Sequence, residues 1–309
     1  MLATILKRLG QGLIVIAAIT IITFVMLRMI PGDPSRTMAP NATEEQLTLL
    51  REQMGIDDPI PVQLGKYIKN LFKGYLGYSY FQKADVTTVI RGSIGASIVL
   101  LLLALVFILI VGTSLGVVSA IYANKFIDKM LSIVAVICQS MPNYWVGIML
   151  IMLVSVKLGW LPSTGYKGIR YAILPGFVLA LPTTAVLIRN VRASMMGSLN
   201  QDFVKAAKAR GIPGFASLVK YAFRNSLIPI LTLIGSQLGY LVGNMVVVEY
   251  VFSYPGIGLQ ILNAINRRDY YLVQGLVVLL SGFFIVVNMI IDIGYIYLDP
   301  RIRKAQGGL

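Results

Sequence analysis

Leu174–Ile188 reads LPGFVLALPTTAVLI, Leu227–Val248 reads LIPILTLIGSQLGYLVGNMVVV, and between them Asp202–Gly214 reads DFVKAAKARGIPG. With their flanks, the two outer runs each supply the ~20 mainly apolar residues that a helix needs to cross a bilayer. The inner stretch carries Asp202, Lys205, Lys208 and Arg210, which keep it at the membrane–water border. A short cationic helix is thus held between two membrane spans.

Four more apolar runs flank this pair. Together the candidate spans cover about 9–30, 94–121, 130–156, 171–191, 225–250 and 275–298. Composition agrees: 57% of the 309 residues are hydrophobic and 13% charged, whereas soluble domains run near a quarter charged. The net charge of +14 comes from basic residues set between apolar runs. Nucleic-acid binding would cluster them with stacking aromatics on a soluble face, so no nucleic-acid partner is expected. There is no histidine, and the single cysteine, Cys138, lies in an apolar run. That removes the commonest general base, Cys/His zinc sites and any internal disulfide. No catalytic set and no metal site are expected, and the fold class is all-α integral membrane protein with six transmembrane helices.

Orientation follows from the basic flanks of short loops. One side holds Lys7, Arg8, Lys125, Lys129, Arg189, Arg192, Lys205, Lys208, Arg210, Lys220, Arg224, Arg301, Arg303 and Lys304, against only Asp128, Asp202 and Asp299. This predicts cytoplasmic N- and C-termini. The first span is longer than the ~7–15-residue core of a signal peptide and no small-residue cleavage pattern follows, so residues 1–30 read as a retained anchor helix. Residues 31–93 mix acids with bases and form an extracytoplasmic lobe; 94–309 form the transmembrane core, with the cationic loop at about 192–224. In the lobe, Thr43 to Gln46 is a capping-box pattern opening a helix with Leu47, Leu50 and Met54 on one face. Gly55 stops it, and a second helix runs to about Lys73 before Gly74.

Gly112 with Gly116, and Gly235, Gly239 and Gly243, repeat at four-residue spacing. Small residues let membrane helices approach closely, either within the chain or at a subunit interface. In the cationic stretch, Asn200 or Asp202 can cap a helix carrying Phe203, Ala206, Ala207 and Arg210 at helical spacing. Gly211 suits the left-handed position after its end, and Pro213 the first turn of a second helix with Leu218, Val219, Ala222 and Phe223. A lipid anchor would show a continuous apolar face. Alanine alternating with charge favours docking into a protein groove.

The stretch resembles the cytoplasmic coupling loop of ABC-importer permeases, whose pattern is Glu-Ala-Ala, three residues, Gly, then an Ile-x-Leu-Pro-like element. Here it reads Lys205-Ala206-Ala207, Gly211 and Leu227-Ile228-Pro229. Lys205 replaces the family glutamate, a departure common in the oligopeptide/dipeptide/nickel branch. PGDP at Pro31–Pro34, LGYS at Leu76–Ser79, VVEYVFSYPGIG at Val247–Gly258, RRDY at Arg267–Tyr270 and LDPRIRK near the end are similar to the same branch. Tyr75 stands where the family usually has an acid. The long outer lobe resembles the B-type permease.

That resemblance implies a heteromeric importer for di- or oligopeptides, or alternatively for nickel complexes, glutathione or another small solute, in a bacterial or archaeal inner or plasma membrane. The implied partners are a sister C-type permease, one or two ABC ATPase subunits and an extracytoplasmic substrate-binding protein. ATP and Mg would be bound by the ATPases and no cofactor by this chain, which has no GxxxxGK[ST] phosphate loop and is expected not to be an enzyme. The implied ATPase-coupling residues are Asp202, Phe203, Lys205, Ala206, Ala207, Lys208, Arg210 and Gly211. Gln237, Asn244 and Glu249 in the fifth span are candidates for a substrate pathway, with interhelical hydrogen bonding as the other reading. Asn288 and Asp292 in the sixth span are read as interhelical groups. A stand-alone secondary transporter would show two matched halves, which a lobe following only the first span does not suggest.

Overall fold

A computed structural model describes residues 2–199, 201–213 and 223–298, some of them as backbone alone. Four of its helices are long and apolar enough to cross a membrane: Arg8–Met29, Val86–Ile121, Arg170–Leu199 and Tyr270–Met289. They belong to α1 (Leu2–Met29), to α5 (Val86–Phe107) continued through a π-helical turn (Ile108–Gly112) into α6 (Thr113–Ile121), to α9 (Arg170–Leu199), and to a helix opening at Tyr270. The run expected as one span over 130–156 is instead two pieces. α7 (Phe126–Ser140) meets α8 (Asn143–Leu150) and its π-helical extension (Ile151–Lys157) at an angle of 101°. Pro142 is the cause: proline drives the preceding Met141 out of helical geometry, and Met141 is extended at ψ 132°. The pair counts as a broken span or a re-entrant loop. A further 28-residue helix, α11, covers Arg224–Val251. α12 (Ile257–Asn266) and α13 (Tyr270–Leu298) complete the series, with the lobe helices α2 (Pro34–Met38), α3 (Glu44–Met54) and α4 (Ile60–Phe72), and α10 (Asp202–Ala209). A two-stranded hairpin, Tyr78–Ser79 against Ala84–Asp85, is the one departure from an all-α fold among the described residues. The expected second helix after Pro213 lies outside them, as does the side chain of Asp292.

The chain divides into two compact units, one of Met1–Ser97 with Pro255–Met289 and one of Ile98–Tyr254 with Ile290–Leu309. In the first, Leu27, Val86, Ile90, Ile257, Tyr270 and Leu276 share a core. Asp269 is fully buried beneath the hairpin, where it accepts from the Ser79 hydroxyl and, at 3.3 Å, from the Leu272 N–H. The lobe helices end as their sequence predicts. Thr43 Oγ1 accepts from Gln46 N–H while Gln46 Oε1 accepts from Thr43 N–H, closing the capping box. Gly55 sits at φ 64° and Gly74 at φ 75°, left-handed positions that release the chain after α3 and α4. Asp33 caps α2 through Ser35 and pairs with Arg51.

In the second unit α9 is the hub. Its apolar stretch is 72% buried, whereas those of α1, α5–α6 and α13 are 22–28% buried, as befits helices with a flank left to lipid or a partner. Gly112 and Gly116 are why α5–α6 can press against it. A β-carbon on Gly116 would lie 2.5 Å from Val191 Cβ and 2.9 Å from the Ile188 carbonyl, and one on Gly112 would lie 2.8 Å from Leu187. The first glycine pair therefore serves packing within the chain. A β-carbon on Gly243 would meet nothing outside its own stretch of helix within 4 Å among the described residues.

Two outcomes follow. Gly116→Ala overpacks the α6–α9 seam at a cost of about 1–3 kcal/mol, which thermal unfolding in detergent reads as a lowered Tm, whereas Gly243→Ala leaves Tm unchanged or raised. Burial acts to raise the Asp33 carboxyl, but hydrogen bonds from Ser35 and Arg51 outweigh it and hold the group below its ordinary value. Its stabilisation is present above the unfolded value of about 3.9 and lost as pH falls through the folded one. Asp269 is shifted the other way by burial, so its contribution is present at low pH and lost as pH rises through its folded value. Asp33→Asn is expected to flatten the acid limb of a stability–pH curve below about pH 4.

The candidate coupling loop

Gln201, rather than Asp202, stands at the capping position before α10. The Gln201 carbonyl accepts from Val204 and Lys205 N–H at 3.1 and 3.3 Å. Asp202 is the first helical residue, its exposed carboxylate 3.0 Å from Lys205 Nζ. At the other end the Arg210 N–H reaches the Ala206 carbonyl at 3.1 Å and the Ile212 N–H reaches the Ala207 carbonyl at 3.2 Å. Between them Gly211 stands at φ 78°. This six-to-one bond over a left-handed glycine is a Schellman stop, so the break at Gly211 is set by local geometry.

The faces of α10 are sharply divided. Val204 is 0% and Ala207 4% exposed, one helical step apart and turned toward their own chain. Phe203, Ala206 and Arg210 are exposed together, with Asp202 and Lys205 beside them. Ala207 therefore holds α10 in place and is not free to meet a partner. Val204, a plain apolar residue among charges, is the anchor that composition alone did not single out. The Lys208 side chain lies outside the described residues. Phe203 is 42% exposed, a large aromatic beside the charged Asp202 and Lys205.

α10 follows two residues beyond α9, at the end of the unit where the last turns of α9 meet the start of α7 and of α11. The Ser198 and Ser226 hydroxyls, at the end of α9 and the start of α11, lie 3.2 Å apart. Arg192 of α9 pairs with Asp128 in the first turn of α7 at 2.6 Å. At the opposite end, Gly165 N–H donates to the Phe252 carbonyl at 3.1 Å and Tyr166 meets Tyr254 edge to face.

The pathway candidates all lie on α11. Asn244 Oδ1 accepts from Asn143 Nδ2 at 2.9 Å, and its own amide donates to the Tyr240 carbonyl at 2.9 Å. That is an interhelical bond between α8 and α11, placed where Pro142 breaks the chain. Glu249 is fully buried and Gln237 half-buried. Asn288 returns its amide to the Phe284 carbonyl of its own helix at 2.7 Å.

Two family models match the chain: residues 112–304 match the binding-protein-dependent transport system inner membrane component, and residues 1–90 match the N-terminal part of the binding-protein-dependent transport system membrane component. The chain belongs to this family of inner-membrane transport components, and it is an ABC transporter permease. A probable peptide ABC transporter permease protein of Sinorhizobium fredii is 35% identical over 308 residues, covering 97% of this chain and 98% of its own. A putative peptide permease protein of Brucella suis is 35% identical, with 98% and 99% covered. The glutathione transport system permease protein GsiC of Escherichia coli is 34% identical, again with 98% and 99% covered.

Gly211→Ala forces a β-carbon into the left-handed region at a cost of about 1 kcal/mol. Hydrogen exchange of the α10 amides is expected to quicken in that variant and in Val204→Asp, and to stay unchanged in Lys205→Ala.

Proposed function

We propose that this permease is the B-type subunit of an importer for peptides, and that the exposed Phe203–Ala206–Arg210 face of α10 seats in a groove of a separate ABC ATPase. The observation that carries the reading is the division of α10: one face is fixed to the chain through Val204 and Ala207, and the other presents an exposed aromatic, alanine and cation. Asp202 and Lys205 border that face. Lys208 completes the loop, and Gly211 ends the helix where a groove would end.

The topology proposed is six spans with both termini cytoplasmic in a bacterial or archaeal plasma membrane, α7–α8 and α11 completing the count. The basic residues gathered where α6, α7, α9 and α11 meet support it, because they would share the cytoplasmic side. Residues 31–93 then stand outside, 94–309 form the core, and 192–224 the coupling loop. A sister C-type permease would complete the pathway, one or two ATPases would bind ATP and Mg, and an external binding protein would deliver cargo. Relatives named for peptides, and one for the tripeptide glutathione, support short peptides as that cargo. Among the described residues Gln237 is the pathway candidate with its amide least committed; Asn244 reads as structural, and Glu249 as a buried support.

Co-expressed ATPase is expected to co-purify with the chain, and Ala206→Asp to abolish this. An unpaired carboxylate buried in the groove costs ~2 kcal/mol or more, about 30-fold in affinity. Uptake of a radiolabelled peptide by a deletion strain should be restored by the wild-type chain and not by Ala206→Asp. Undiminished association and uptake in that variant would defeat the reading.

A further inference from the structure

The carboxylate of Asp128 is buried in the first turn of α7 and collects four hydrogen bonds. Arg192 of α9 donates to it twice, from Nε at 2.6 Å to Oδ1 and from Nη2 at 2.7 Å to Oδ2. The Ser119 hydroxyl at the end of α6 donates to Oδ1 at 2.6 Å, and the Asn124 backbone N–H in the connecting turn to Oδ2 at 2.7 Å. Asn124 stands at φ 64°, left-handed, a conformation that asparagine tolerates better than most residues. One side chain thus joins α6, the turn after it, α7 and α9. A second strap, Arg189 Nη1 to Gln139 Oε1 at 3.0 Å, ties the far end of α7 to the same stretch of α9.

Packing does not require this. Replacing a buried ion pair by apolar residues of the same volume is often neutral in stability. The two parallel N–H···O bonds of a guanidinium–carboxylate fork fix angle as well as distance. Arg192 lies two turns before the end of α9, and α10 begins directly after it. The rigid joint is therefore set beside the element that would receive the ATPase.

We propose that Asp128 and Arg192 are positioning residues that lock α7 and the α6–α7 turn to α9, so that a displacement delivered at α10 moves these helices as one body. This rests on the coupling role of α10. Switching by rigid-body shifts needs elements that do not deform under load. Without the fork, α9 would slide or twist against α7 and the displacement would be lost at the first joint.

The test uses the assembled complex with its ATPase in nanodiscs, in a Cys138→Ser background. One spin-label pair reports α7 against α9, at Met130→Cys and Ala193→Cys; a single label at Ala209→Cys reports α10. ATP with vanadate is expected to change the Ala209 line shape while the α7–α9 distance stays single and unchanged. In Asp128→Asn the α7–α9 distribution is expected to split on adding ATP with vanadate, while the ATPase still co-purifies. Arg192→Lys, which keeps the charge and loses the fork, is expected to do the same and guards against a variant that fails to fold. An α7–α9 distance that stays single in both variants while the Ala209 signal responds would overturn the clamp alone. No response at Ala209 in the unsubstituted clamp would overturn the coupling role, and the clamp with it.

Discussion

Inside a bilayer the backbone has no water to bond, so each span must satisfy its own amides as a helix. Lipid is as apolar as leucine, and burial gives such helices little reason to prefer one neighbour over another. Close approach decides, and here it is decided on α9. Gly112 and Gly116 bring α5–α6 against Leu187, Ile188 and Val191 with no room for a β-carbon. Once that seam is fixed, α7 is tied to the same helix by Arg192, α11 meets its end through Ser198 and Ser226, and α10 is suspended from it.

Several polar side chains of this unit join one element to another. Asn143 and Asn244 bridge α8 and α11 beside the Pro142 break, and Asp128 gathers three neighbouring elements. In hydrocarbon an amide pair of this kind contributes about 0.6–2 kcal/mol, modest in stability and strict in register. A permease has to change conformation without melting, and joints that fix register while leaving whole helices free to shift serve that need. α10 fits the same logic: Val204 and Ala207 hold it to the chain, and the Schellman stop at Gly211 gives it a definite end.

Local chemistry was legible in the sequence where a residue acts within its own turn. Thr43 with Gln46, Gly55, Gly74 and Gly211 all announce helix ends by their neighbours, and each stands where that grammar puts it. The apolar runs marked the spans, though not their full extent: α5 begins at Val86, ahead of the apolar run expected from 94, and α9 continues past 191 to Leu199. What stayed hidden depends on distance or angle. The run 130–156 reads as continuous by hydropathy, and Pro142 alone does not tell whether a membrane helix merely kinks or turns by 101°. Asp128 and Arg192 are 64 positions apart, and Ala206 and Ala207 are alike in composition, yet one is exposed and the other buried. The family resemblance ranged over nearly the whole chain, and it is the family that the comparisons show.

The central claim is that the exposed face of α10 lies in the cytoplasm and meets an ATPase. Its most direct test is a single cysteine at Ala206→Cys in a Cys138→Ser chain, probed with a membrane-impermeant maleimide in vesicles of both orientations. The account predicts labelling in inside-out vesicles only, and weaker labelling when the ATPase is bound. Labelling from the external side of right-side-out vesicles would contradict it.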